Sequence, residues 1–172
     1  MIIIGIDPGY ERLGIAVIEK PARPHDGSGA GGSSATKNKE ELLYSNCFKT
    51  SAKLKFEERL FQIGEEVRKI IKKYKPEVLA IETLFLNTNQ KTVMRVAEVR
   101  GVTIYEAMSA NLKVFEASPP QIKIATTGYG KANKEQMKKM VRMLIKIEDK
   151  VKSDDELDAI AIAITAFAHI RF

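Results

Sequence analysis

The spacing of apolar residues changes several times along the chain, and each change predicts an element. Residues 2–6 form a short β-branched run, Ile2-Ile3-Ile4-Gly5-Ile6, stopped by Asp7-Pro8-Gly9. That is the pattern of a buried strand entering a turn. A second strand is predicted over 13–19, where Ile15 and Val17 alternate with smaller or outward-facing neighbours, and strand character resumes over 42–49. Over 54–74 the period becomes helical: Phe56, Leu60, Ile63, Val67, Ile70, Ile71 and Tyr74 define one face, opposite Glu57, Glu58, Glu65, Glu66, Lys69 and Lys73. Pro76 ends this helix, and Val78-Leu79-Ala80-Ile81 makes a short buried strand. A helix over 92–112 carries Ala97, Gly101, Ala107 and Ala110, small enough for close packing, and a strand follows over 113–117. Ser118 is placed to cap a helix with Pro119 at its first position. Gly128-Tyr129-Gly130 breaks the chain before a basic helix over about 133–147, and a last helix spans about 154–170. Strands first, then alternating helices and strands, indicate a mixed α/β domain that opens with an antiparallel meander.

Composition interrupts this pattern once. Over 21–38, Gly27, Gly29, Gly31 and Gly32 lie among Ser28, Ala30, Ser33 and Ser34, with almost nothing to bury. The segment reads as a flexible insertion in the hairpin between the second and third strands. Loop-closure entropy grows slowly with length, so the hairpin should tolerate it. The 172 residues fit one domain with a core large enough to fold without disulfide or structural metal. Cys47 has no partner for an intrachain disulfide, which suits a reducing compartment. No apolar run approaches the ~18 residues of a membrane span, and the N-terminus lacks the features of a secretory signal, so a cytoplasmic, membrane-free protein is expected. Lys and Arg number 28 against 22 Asp and Glu, and the resulting +6 favours polyanionic partners; a merely soluble basic surface explains the charge as well.

The acids sharpen that choice. Asp7 and Glu82 stand at the C-terminal ends of two predicted strands, where open α/β sheets place ligands. Acids at equivalent ends of neighbouring strands repel unless a cation neutralises them, and Mg²⁺ suits a few carboxylate oxygens plus water. Each acid alone is also explained as the start of a solvated loop. In Ser153-Asp154-Asp155-Glu156-Leu157-Asp158, Ser153 and Glu156 make a capping box, and acids in the first turn suit the helix dipole. Asp158 lies beyond the cap at the start of an apolar helix, on the same face as Asp155, so the pair can face the two strand-end acids. His25, His169 and Cys47 offer neither zinc-ligand spacing nor a nucleophile–base pair, which leaves metal-assisted chemistry as the enzymatic option.

Taken together, Gly5-Ile6-Asp7-Pro8-Gly9, Ala80-Ile81-Glu82-Thr83-Leu84-Phe85 and Asp155-Glu156-Leu157-Asp158-Ala159-Ile160-Ala161 resemble the RuvC family of bacterial Holliday junction resolvases. Order, intervals and contexts match over the chain apart from 21–38; the first motif alone also opens sugar kinases and actin-like ATPases. The resemblance implies an RNase H-like α/β fold, with a mixed five-stranded sheet flanked by helices. It implies a Mg²⁺-dependent crossover junction endodeoxyribonuclease that resolves four-way DNA junctions by paired symmetric nicks in recombination and repair. It makes Asp7, Glu82, Asp155 and Asp158 the catalytic ligands of two Mg²⁺ ions, with Mn²⁺ as a substitute, and the products a 5′-phosphate and a 3′-hydroxyl. Some relatives carry His at the third of these positions; here Asp155 stands there, with Asp154 beside it as a rival. Phe85 matches an aromatic that stacks on a base near the junction centre, although core packing is its other use. Gln121-Ile122-Lys123 and the stretch from Gly128 through Lys131 and Lys134 to Gln136 match a DNA-contacting segment, with Lys123 and Lys134 near the scissile phosphates. By charge alone these lysines form a solvated face. The near two-fold symmetry of a junction implies a homodimer, for which the 92–112 helix is a candidate contact unless it packs on its own sheet. The implied partners are the junction-binding and motor ATPase subunits of a branch-migration complex.

The sequence admits three rival readings. A phosphotransferase using Gly5 to Gly9 on a nucleotide needs a second lobe for which 172 residues leave no room. A binding-only module would not need all four acids. Another RNase H-like nuclease, acting on a different branched or hybrid substrate, shares every motif and is separated only by substrate preference.

Overall fold

The computed structural model of the chain describes residues 1–21, 40–84, 90–145, 147 and 153–170. The strands are β1 (Ile2–Asp7), β2 (Arg12–Glu19), β3 (Glu41–Lys49), β4 (Val78–Glu82) and β5 (Lys113–Ala117). The helices are α1 (Phe56–Tyr74), α2 (Gln90–Ser109), α3 (Pro119–Thr127), α4 (Lys134–Leu144) and α5 (Asp154–His169). Strand order in the sheet is β3-β2-β1-β4-β5. The pairs β1–β2 and β2–β3 are antiparallel, whereas β1–β4 and β4–β5 are parallel. This is the expected mixed five-stranded α/β sheet, with the meander built first and two crossover strands added to its β1 edge.

Helices cover both faces of the sheet, which is why β1 and β4 read as continuous apolar runs. Ile3, Ala16, Ile18, Val78 and Ala80 point to the layer formed by α3, α4 and α5. Ile4, Ile6, Ile15, Leu79 and Ile81 point the other way, to α1 and α2. The two-residue period of the strands assigns them so, and a one-residue slip would exchange the sets.

Two glycines set how close α5 comes to the sheet. A Cβ on Gly5 would strike the carbonyl oxygen of Ala159 and stand 2.9 Å from Ala163 Cβ. A Cβ on Gly14 would strike the Asp155 carbonyl oxygen and stand 3.1 Å from Asp7 Cβ. With hydrogen alone at both positions, α5 lies almost on the backbone of β1 and β2, and its first turn reaches the end of β1 where Asp7 sits.

Several ends differ from the expected ones. The helix predicted from 54 starts at Phe56, because Lys55 is the N-cap and its backbone N–H donates to Glu58 at 2.8 Å. The helix predicted to run to 112 ends at Ser109: Asn111 takes a left-handed φ of 61°, and Leu112 turns back into the core. The basic helix ends at Leu144 instead of 147, since Ile145 turns extended and is buried at 1% exposure. Ser118 does cap α3, and Asn133 caps α4. The expected insertion over 21–38 lies, apart from Pro21, outside the described residues. The hairpin on either side of it is intact, with Glu19 paired to Glu41 and Lys20 Nζ 3.0 Å from Glu40.

Candidate metal and nucleic-acid site

Asp7 and Glu82 end neighbouring parallel strands. The register pairs Ile6 with Ile81, so the next step along both strands sets the two acids side by side. Asp158, in the second turn of α5, completes the group from above. These three carboxylates line one cavity of about 300 Å³, which Lys123 from α3 and Asn133 and Lys134 from the start of α4 also line. A second cavity of about 310 Å³ shares Asp7, Glu82 and Pro119 with the first and extends toward Val93 and Arg100 of α2. The acids therefore sit along the middle of a trough between α2 and the α3–α4 turn.

The trough is electrostatically unbalanced. Burial, followed by the charges of Asp158, Glu82 and Asp155, pushes the Asp7 carboxyl up from its ordinary 3.8 to about 7, against a smaller lowering by Lys134. Burial and Asp158 raise Glu82, which Arg100 partly offsets. Burial also raises Asp158, with Lys134 the chief opposing charge. Among the described residues no three His, Cys, Asp or Glu side chains converge to metal-ligating distance. The donor set nonetheless fits a hard divalent cation: carboxylate oxygens only, with more negative charge than the nearby lysines compensate.

Asp155 departs from its neighbours. Its Oδ2 lies 2.5 Å from an Arg12 guanidinium nitrogen and accepts from the Cys47 thiol at 3.4 Å. It lines neither cavity of the trough, although its charge is felt at Asp7 and Asp158. Asp154, its rival in the sequence, faces α4 instead. Lys134 and Lys138 hold one oxygen each at 3.0 and 2.9 Å, and those bonds keep its carboxyl below the usual range. Glu156 serves the cap, accepting from the Ser153 backbone N–H and, on its other oxygen, from the Ser45 hydroxyl at 2.8 Å. The first turn of α5 is thus pinned to β2–β3 on one side and to α4 on the other.

Of the residues expected to meet DNA, Lys123 and Lys134 are in the cavity wall, Lys131 is exposed on the α3–α4 turn and lines neither cavity, and Phe85 lies outside the described residues. Two cations near the site were missed by the one-dimensional pattern. Arg100 donates to the Glu82 carbonyl oxygen and to the Glu116 carboxylate, tying α2 to the ends of β4 and β5. Arg12 follows the first motif by only three residues, which is the one local hint of its role.

A family model described as crossover junction endodeoxyribonuclease RuvC matches residues 3–166. A protein of that name from Caldanaerobacter subterraneus subsp. tengcongensis is 38% identical over 164 residues, 95% of this chain and 90% of that protein. Its namesake from Fusobacterium nucleatum is 41% identical over 96% of this chain and 79% of its own length. Among solved structures, Thermus thermophilus RuvC in complex with a Holliday junction substrate superposes with a TM-score of 0.82 at 29% identity, over 97% of this chain and 93% of that one.

Proposed function

The chain belongs to the RuvC family of crossover junction endodeoxyribonucleases, and on that premise we propose that it resolves four-way DNA junctions in recombination and repair by divalent-metal-dependent phosphodiester hydrolysis. The observation that carries this reading is Asp7, half-buried, lining with Glu82 and Asp158 the same cavity as Lys123 and Lys134. Acids that cannot all be charged without a cation, facing lysines that seek a phosphate, are what a nuclease of this kind needs.

Asp7, Glu82, Asp158 and Asp155 are the residues that would hold two Mg²⁺ ions, with Mn²⁺ able to replace them. Bound there, the metal supplies Lewis-acid polarisation of the scissile phosphate and lowers the pKa of a bound water. The rest falls to the side chains. Lys134 and Lys123 bring positive charge to the phosphate oxygens as negative charge grows on them, and Lys131 holds the backbone farther out. Glu82 is kept in place through its own carbonyl by Arg100, which ties the strand end carrying the acid to α2. Phe85, three residues beyond Glu82, stacks on a base at the junction centre. The products are a 5′-phosphate and a ligatable 3′-hydroxyl.

One chain supplies one site, and a junction needs two nicks, so the working unit is a homodimer. In support, α2 packs on α1 and the sheet while leaving Met94, Tyr105 and Met108 exposed, with Phe61 of α1 also exposed and open space beside Gly101. The protein acts in the cytoplasm, together with the junction-binding and motor subunits of a branch-migration complex. No helix among the described residues is long and apolar enough to cross a membrane.

Asp7→Asn and Asp158→Asn test the site. Each should bind a synthetic four-way junction in Ca²⁺ as the parent does, yet cleave it at least about 100-fold more slowly in Mg²⁺. Cleavage within a few fold of the parent would contradict the assignment.

A further inference from the structure

Asp155 has its backbone at the trough and its carboxylate elsewhere. The virtual Cβ of Gly14 stands 2.8 Å from the Asp155 carbonyl carbon and 3.1 Å from Asp7 Cβ, so the Asp155 main chain and Asp7 flank one point. The carboxylate, however, is held on the β2–β3 side. There Arg12 lines a separate groove of about 450 Å³ with Asn46, Cys47 and Lys49. Arg12 and Cys47 both engage the same oxygen, Oδ2. Arg12 has reason to stay: its cross-strand neighbour is Lys49, a like charge directly opposite, and Asp155 is the carboxylate within ion-pair distance of it.

We propose that Arg12 is a positioning residue that competes with a divalent cation for the Asp155 carboxylate, so that Asp155 joins Asp7 and Asp158 only when the guanidinium releases it. The inference rests on Asp155 being a metal ligand. Nothing larger than a side-chain rotation is needed, because the Asp155 backbone is fixed by the α5 cap and by its seat on Gly14. Such rotations take picoseconds to nanoseconds, so the competition is an equilibrium and not a slow gate. The Arg12 side chain is half-exposed at 51%, so once displaced its charge passes to water or to a DNA backbone phosphate at no burial cost. The device gives the site one acid whose availability depends on a cation of the chain itself, while Asp7, Glu82 and Asp158 remain in place.

The test is Mn²⁺ binding to the full chain without DNA, followed by calorimetry and by the electron spin resonance of free Mn²⁺. Arg12→Gln should bind its weaker Mn²⁺ ion about three- to tenfold more tightly than the parent, the worth of one half-exposed charge-assisted contact. Arg12→Lys, which keeps the charge without the planar fork, should lie between the two, and it carries the test if the Gln variant does not fold. In an Asp155→Asn background, Arg12→Gln should bring no gain. If Asp155→Asn weakens Mn²⁺ binding and neither Arg12 variant tightens it, the competition is overturned while the ligand assignment stands. If Asp155→Asn leaves Mn²⁺ binding unchanged both in the parent and in the Arg12→Gln background, the ligand assignment itself fails and the competition with it.

Discussion

Replacing Asp7 by Asn should make the protein more stable, by an amount that depends on pH in a defined direction. Asp7 titrates near 7 in the fold against an ordinary value of 3.8, chiefly because it is buried. Between those values the native state holds a proton that the unfolded chain has already lost, so stability falls as pH rises through the interval. The interval corresponds to roughly 4 kcal/mol at 1.36 kcal/mol per pH unit, an upper figure because Glu82 and Asp158 readjust as Asp7 ionises. Asn mimics the neutral acid and carries no such cost. In EDTA at pH 8, Asp7→Asn should therefore gain up to about 4 kcal/mol over the parent, seen as a rise in Tm of up to about 8–16 °C for a chain of this size. At pH 4 the two should melt together. Adding Mg²⁺ should narrow the gap at pH 8, because the parent gains more binding energy in the native state than the Asn variant does. Equal melting in EDTA at both pH values, or a less stable Asn variant at pH 8, would refute the claim that like-charge burial is concentrated at Asp7.

Three other expectations follow from the same geometry. Gly14→Ala should push the first turn of α5 off β2, costing about 1–3 kcal/mol in urea melts and about 100-fold in junction cleavage, because the acids on either side of it separate. Lys134→Ala removes the charge that holds down Asp7 and Asp158, so the pH at which Mn²⁺ affinity reaches half its plateau should move upward; no movement would show that Lys134 does not face the acids. Shortening the 21–38 segment should leave cleavage unchanged, since it joins the hairpin at the Glu19–Glu41 end, whereas the site lies at the Asp7–Gly14 end; an inactive but folded variant would defeat this.

Much of this was open to reading along the chain because it is local. The strand ends at Asp7 and Glu82 follow from apolar runs stopped by polar residues, and parallel pairing of those strands then makes the acids neighbours. The cap at Ser118 follows from the proline beside it and the cap at Ser153 from Glu156 three residues on, which is as far as a capping box reaches. What stayed hidden depends on distant residues. The direction of the Asp155 carboxylate is decided by Arg12 and Cys47, far away in sequence, although its helical face is shared with Asp158. The partners of Asp154 come from α4, which no periodicity in α5 announces. Arg100 looks like one more polar residue of an ordinary helix until α2 is laid against the ends of β4 and β5. The early end of the basic helix has the same origin, since burial of Ile145 outweighs a helical pattern that continues in the sequence.

Junction resolution is tested by mapping cleavage of a synthetic four-way junction in Mg²⁺, beside a linear duplex and an RNA–DNA hybrid of the same sequence. Paired, symmetric nicks are expected in opposing strands of the junction, each leaving a 5′-phosphate and a 3′-hydroxyl that ligase can seal, with the other two substrates intact. Cleavage of the hybrid alone, or a junction that is bound in Mg²⁺ and never cut, would contradict it.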